Sequence, residues 1–282
     1  MSSKYNLFTD KQKKVFNELK EHQNNSFKLA DKFKCFNESG LKINLIRMDK
    51  FLSDRLIKLS KQNQVKVTGF INTAIIYALR ELYQENNLAF PEEISCGMPA
   101  NLRLRYQPNL DFSHIRFQVC LAHLNLSYPF FGEYKSIWKD SAYVDDLIAK
   151  STSIDDGKLF LTTHDKMAIE HFNRLFEECI DRNRNVCEKM SETNHCDLIL
   201  SNIGRYVNDR KKLVNGKFKI SEIYYGDSLI SNPNMLSALI LHVSNWNGEI
   251  QMLLSSNLAA IGSVFVNRLI YLFKKILLES LC

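Results

Sequence analysis

The chain is poor in turn formers, with 10 glycines and 5 prolines in 282 residues. That scarcity excludes collagen-like repeats and Pro/Gly-rich low-complexity segments. Its cysteines form no framework: the seven thiols, at positions 35, 96, 120, 179, 187, 196 and 282, are odd in number and contain no Cys-x-x-Cys pair. Reduced thiols in a cytosolic protein fit them better than disulfides. Long apolar runs are also missing. The nearest candidate, Leu258 to Leu281, is broken by Asn267, Arg268, Lys274 and Lys275, so it reads as an amphipathic helix with no transmembrane segment implied. Met1-Ser-Ser-Lys-Tyr-Asn lacks the apolar stretch of a secretory signal, and cytoplasm is the expected compartment. Without export, the sequons at Asn24, Asn37 and Asn125 carry little meaning. Neither charge sign dominates: 37 Lys and Arg against 31 Asp and Glu leave +6, too small an excess for a nucleic-acid partner to be the default.

What is present is an ordinary globular composition, 45% apolar and 24% charged, which excludes wholesale disorder and allows a sizeable core. The length admits two domains or one large α/β unit. Residues 1–41 are polar, rich in Lys, Asn and Gln, and read as a leader with one short helix around Lys11–Glu21. The folded unit is expected over 42–282. Lys42–Arg47 alternates as a strand does. Asp49 is placed to cap a helix through Phe51, Leu52, Leu56, Ile57 and Leu59. Thr68 is the expected cap of a second helix whose buried face is Ile71, Ala74, Ile75, Ala78, Leu79 and Leu82. Strands are expected at Ile94–Arg103, Phe117–Leu126 and Asp197–Asn202, and helices at Trp138–Thr152 and Lys166–Glu188. Leu236–Ser244 and Glu249–Ser255 flank Asn247-Gly248, the strongest hairpin signal in the chain. A final helix turns Val264, Leu269, Leu272, Phe273, Ile276 and Leu277 inward. The mixture predicts α/β or α+β, and of these an α/β two-layer sandwich, a mixed β-sheet with packed helices, is the expected fold.

The chemistry-bearing motifs are sparse. No phosphate-binding loop, dinucleotide fingerprint or nucleophile elbow occurs. Gly226-Asp-Ser-Leu229 matches the GDSL esterase letters, but a serine nucleophile needs a base held by a carboxylate. The one downstream histidine, His242, has no aspartate three residues before it, so a surface turn is the better reading. Cys187, His195 and Cys196 offer three donors without a fourth, and neighbours in an extended segment point to opposite faces; no metal is expected. Arg210-Lys211-Lys212 reads as a solvated loop. Asp145-Asp146 and Asp155-Asp156 read as exposed pairs at helix ends.

Three stretches carry a resemblance. Phe51 to Ala74 gives a helix, a short turn, Val67-Thr68 and a helix rich in small residues. Met98-Pro-Ala-Asn-Leu-Arg-Leu-Arg-Tyr-Gln-Pro108 ends a strand, and Leu198-Ile-Leu-Ser-Asn-Ile-Gly204 ends another ahead of the Asn-Gly hairpin and last helix. In this order they resemble the C-terminal lobe of the chloramphenicol-acetyltransferase-like superfamily. That group includes CoA-dependent alcohol acetyltransferases, plant acyltransferases, mycobacterial polyketide-associated acyltransferases and peptide-synthetase condensation domains. The resemblance spans residues 42–280. It implies acyl transfer from acyl-CoA to an alcohol or amine, with acyl-CoA as substrate and no tightly bound cofactor.

The sequence departs from the family at the catalytic motif. The superfamily uses His-His-x-x-x-Asp-Gly in its N-terminal lobe, and this chain has neither a His-His pair nor a His-x-x-x-Asp. The nearest string, His242-Val-Ser-Asn-Trp-Asn-Gly248, has Val243 at the catalytic histidine's place and Asn247 at the aspartate's. It is either a decayed motif or, as Asn-Gly turn chemistry favours, a hairpin that never held the base. No catalytic residue is therefore assigned, and loss of a general base removes about two to four orders of magnitude in rate. The resemblance implies an ion-pair role for Arg103, equally readable as a surface arginine. It places Ser201, Asn202 and Gly204 near the acyl-donor channel, where small side chains and hydrogen-bonding groups suit a pantetheine arm; a plain strand-to-turn transition is the alternative. Arg205 and Arg210–Lys212 are available to CoA phosphates. Two functions stand: half of a split or truncated acyltransferase that needs a histidine-bearing N-terminal lobe, or a non-catalytic acyl-CoA-binding or protein-interaction pseudoenzyme. An exposed apolar face would call for that partner or a homodimer.

Overall fold

The computed structural model describes residues 14, 29–33, 37–38, 40–91, 94–101, 121–127, 136–151, 197–206, 224–226, 238–258 and 260–282. The elements are α1 (Leu29–Phe33), β1 (Leu41–Arg47), α2 (Lys50–Gln62), α3 (Val67–Glu85), β2 (Ser95–Asn101), β3 (Leu121–Ser127), α4 (Ile137–Ser151), β4 (Leu198–Tyr206), β5 (Leu239–Trp246), β6 (Glu249–Asn257) and α5 (Ser263–Leu281). The helices expected at Lys11–Glu21 and Lys166–Glu188 fall on residues outside this set, apart from Lys14. Among the described residues six strands form one sheet in the order β1-β6-β5-β4-β2-β3. β2 and β5 flank β4 in parallel, while the β1–β6, β5–β6 and β2–β3 pairs are antiparallel. The sheet is mixed, as expected.

Strand alternation divides the sheet into two faces. Leu198, Leu200, Leu239, Leu241, Val243, Ile250, Met252 and Leu254 join one large core with α2, α3 and α5. On the other face Ile199 and Ile240 form a separate small cluster with Leu41. Helices on one side and a distinct second face give the two-layer arrangement.

Local signals account for several of these elements. Asp49 caps α2, its side chain accepting from the Leu52 amide at 2.8 Å. Asn247 and Gly248 take positive φ of 53° and 91°, the left-handed pair that a two-residue hairpin requires, and the tight turn joins β5 to β6 in register. The string from His242 to Gly248 is thus the hairpin itself.

α3 is buried almost all round, with Phe70, Asn72, Thr73, Tyr77 and Tyr83 added to the expected face. A helix sheathed on most sides carries apolar residues on most sides. Its start corrects the expected Thr68 cap. The helix begins at Val67, Lys66 occupies the cap position, and no side chain of its own closes the turn. Instead Asp145, reaching from α4, accepts the Lys66 amide hydrogen bond. Asp145 is accordingly buried, which corrects the expectation of an exposed helix-end acid. Above α4, the Phe70 ring stacks on Trp138 with centroids 4.6 Å apart, and the Tyr77 hydroxyl donates to Asp140. In α5 the inward row is Val266, Leu269, Leu272, Phe273, Ile276 and Leu277. Val264, expected inside, is 72% exposed, because two residues of a helix turn about 200° and Val266 already holds the core side.

Packing reaches back into the expected leader. Leu29 and Phe33 are buried in the main core, the Leu29 amide donates to Asp197 at 2.6 Å, and Glu38 accepts from both the amide and the hydroxyl of Ser263 at the start of α5. A carboxylate there offsets the unpaired amides of the first turn.

Burial pushes the Asp145 carboxyl above its ordinary range, and the Lys66 amide partly counteracts it. A carboxyl whose pKa is raised in the folded state contributes stability that is complete below its unfolded pKa and is lost as pH rises through the folded value. The stability difference between wild type and Asp145→Asn is therefore expected to be more favourable to wild type at pH 4 than at pH 7. Paired chemical denaturation at the two pH values measures it. A difference independent of pH would contradict the assignment.

Candidate functional site

The expected site residues lie at the C-terminal end of β4. Register places Ser201 beside His242 and Asn202 beside Val243, and the pairing then shifts before Arg205 meets Asn245. Gly204, with φ of +78°, lies inside that irregularity, in a conformation suited to glycine. Asn202 holds the bend: its Nδ2 donates to Thr68 Oγ1 and its Oδ1 accepts from the Gly204 amide, both at 2.8 Å. The carboxamide thus ties the sheet to the first turn of α3. Ser201 is buried on the opposite face. The structure brings Ser201, Asn202 and Gly204 to one strand end but divides Ser201 from Asn202 across the sheet. Arg103 and Arg210–Lys212 lie outside the described residues, while Arg205 is exposed.

The sheet face around Ser201, opposite the one on which α2, α3 and α5 pack, is polar, although it is buried. Its neighbours across the strands are His242 and Leu253; one step along, Ser244 faces Gln251, and on the other side Ile240 faces Ser255. Ser201, His242, Ser244, Gln251 and Ser255 are all buried. The ring of Tyr225 stands edge-on to His242 with centroids 5.0 Å apart. Gly226 lies so close over Leu253 that an added Cβ would come within 2.9 Å of its side chain; Asp227–Leu229 of the esterase-like letters lie outside the described residues. Gln251 is only 3% exposed, yet among the described residues neither Nε2 nor Oε1 has a hydrogen-bond partner, and the same holds for Ser255 Oγ.

Leaving buried polar atoms unmade costs about 1–3 kcal/mol per group, and unexplained ones point to strain or to something that binds. The row consists of hydroxyl, imidazole and carboxamide groups, and at its outer end Arg47, bonded to Glu249, stands across from Gln251 on the same face. Its chemistry suits a neutral carbonyl, ester or amide. Among the described residues no group of three or more His, Cys, Asp or Glu side chains is placed to hold a metal ion, and no helix is long and apolar enough to cross a membrane.

Gln251, Ser244 and Ser255 were not singled out by the sequence. The signal was faint: along Ile250-Gln-Met-Leu-Leu-Ser every second residue from Ile250 is apolar, and the intervening residues mix polar and apolar types. Such a pattern ordinarily marks a solvent face. Burial of that face depends on distant segments, including Tyr225.

No family model and no curated protein matches the sequence. Solved structures do match the fold. The epimerization domain from the third module of tyrocidine synthetase B superposes with a TM-score of 0.59 at 9% identity, covering 96% of this chain and 57% of that one. The condensation domain of the monacolin K polyketide synthase gives 0.60 at 10% identity, covering 95% and 57%. The trichothecene 15-O-acetyltransferase of Fusarium sporotrichioides gives 0.59 at 10% identity, covering 99% and 55%. The chain spans a little over half the length of each. Its fold is that of the chloramphenicol-acetyltransferase-like condensation and acetyltransferase domains.

Proposed function

We propose that the chain is an acyltransferase-like lobe that binds the acyl arm of a thioester donor, of the acyl-CoA type, along the face of β4, β5 and β6 opposite α2, α3 and α5. The observation that carries the reading is the buried polar row of Ser201, His242, Ser244 and Gln251, with the Gln251 carboxamide unmatched at both ends among the described residues. Hydroxyl and carboxamide groups pair well with the amides and thioester carbonyl of a pantetheine-type arm. The fold supports the reading as well, since similar structures include an acetyltransferase and a condensation domain. Arg205, exposed beyond the bend in β4, is available to the donor's phosphates.

Chemistry requires a base, and this sequence lacks His-His-x-x-x-Asp-Gly. In the proposed arrangement the base comes from a second module equivalent to the part of the longer structures this chain does not span. Alone, the chain holds the donor without turning it over. A second reading, a non-catalytic acyl-binding protein, rests on the same row and differs only in having no such partner.

Titration calorimetry of acetyl-CoA and a longer acyl-CoA into the full chain, with thiol release followed in parallel over a panel of alcohols and amines, tests the proposal. Saturable binding with thiol release at the buffer rate is expected. No binding by any acyl-CoA refutes the proposal. Release above about a hundredfold over buffer would refute the missing-base account, since a general base supplies roughly that much or more.

A further inference from the structure

We propose that two copies of the chain associate through the outer edge of β1, extending the sheet across a two-fold axis at Asn44. Among the described residues β1 is the last strand on its side and pairs with β6 alone. Among the described residues no other backbone group bonds to Leu41–Arg47. Open edges of this kind are templates for another strand, and natural proteins blunt them with bulges, prolines or charges. β1 has seven residues in unbroken register with β6 and no proline. Its face opposite α2, α3 and α5 presents Ile43, 55% exposed, and Leu45, 43% exposed.

The sequence of β1 is self-complementary about its centre, which singles out a second copy as the occupant. In an antiparallel pairing with Asn44 on the axis, Ile43 stands opposite the partner's Leu45, and Leu45 opposite the partner's Ile43. Two exposed apolar pairs are thereby closed on one face, the arrangement by which cross-strand contacts stabilise a sheet. Lys42 meets the partner's Ile46, and Leu41 meets the partner's Arg47, so no like charges face each other. Arg47 is already neutralised by a two-pronged contact with Glu249, at 2.9 and 2.6 Å. Asn44 supplies an independent observation. Its Nδ2 is buried and has no hydrogen-bond partner among the described residues, whereas on the axis the two carboxamides face each other and each has the acceptor the other lacks. A contact made twice by one patch is the isologous form of a two-fold dimer, and one strand pair makes a small interface, so association belongs in the micromolar range or weaker.

Sedimentation equilibrium of the full chain over a hundredfold concentration range is the test, alongside Leu45→Lys and an Asn44→Cys variant in a Cys282→Ser background. Wild type is expected to shift from monomer to dimer. Leu45→Lys, a change at an exposed position, is expected to weaken association at least about tenfold with an unchanged melting temperature. Asn44→Cys is expected to form a disulfide-linked dimer under mild oxidation, while Phe51→Cys, exposed elsewhere on the surface, does not. A wild-type chain that stays monomeric at every concentration overturns the proposal, as does a dimer that Leu45→Lys leaves intact. Failure of Asn44→Cys to cross-link overturns the axis.

Discussion

Gly69→Ala is expected to destabilise the protein by about 2 to 3 kcal/mol, the upper part of the range for forcing an extra carbon into a packed site. At 2–4 °C per kcal/mol for a chain of this size, that is a fall of about 4–12 °C in melting temperature. Two effects oppose each other here. Alanine favours helix over glycine by about 1 kcal/mol, and Gly69 lies in the first turn of α3. Against that, a Cβ at Gly69 would sit 2.7 Å from Asp145 Cγ and 2.9 Å from the carbonyl oxygen of Ser141. The first obstacle is a side chain and the second is helix backbone, so α4 itself must move. Moving α4 also disturbs the Phe70–Trp138 stack and the Tyr77–Asp140 hydrogen bond. The double variant Gly69→Ala/Asp145→Ala should recover only part of the loss, because the Ser141 carbonyl remains. A single variant as stable as wild type in denaturant titration would show that the two helices are not held this closely.

This contact also marks what the sequence could and could not reveal. The hairpin at Asn247-Gly248, the Asp49 cap, the buried row of α3 and the extent of α4 were legible because each depends on residues within a turn or two of one another. Thr68 was mistaken for a cap because the real capping side chain, Asp145, lies 79 positions from Lys66, and nothing local distinguishes a threonine that begins a helix from one in its first turn. Val264 failed for a smaller reason: apolar content near a helix start does not fix the helical phase. The strand end Ser201–Gly204 was found through its resemblance, but that resemblance treats the three residues as one patch. Alternation and the bend at Gly204 separate them, leaving Asn202 to brace α3 and Ser201 to face the polar row. Gln251 escaped notice because its peculiarity is tertiary. A glutamine in a strand is commonplace until the fold buries it with no partner among the described residues.

Gln251→Leu is therefore expected to move stability and binding in opposite directions. Leucine keeps a similar bulk and removes two unmatched polar atoms from a site 3% exposed, so the free protein should gain about 1–3 kcal/mol, the cost of leaving a buried polar group unmade. Acyl-CoA affinity should fall by about tenfold or more, the equivalent of at least 1.4 kcal/mol, because a ligand amide would then lose its partner in an apolar surround. A purely structural glutamine predicts a different pattern: its hydrogen bonds would be missed in the free protein, and stability would fall. Ser201→Ala separates the cases further. It removes a hydroxyl from the same face without touching the Asn202 bonds to Thr68 and Gly204, so affinity should drop with the melting temperature nearly unchanged. Thermal denaturation with and without saturating acyl-CoA reads both quantities at once, since a ligand that binds only the folded state raises the melting temperature in proportion to its affinity. A Gln251→Leu protein that is less stable and binds as tightly as wild type would remove the polar row from the account of function and leave the glutamine as part of the fold.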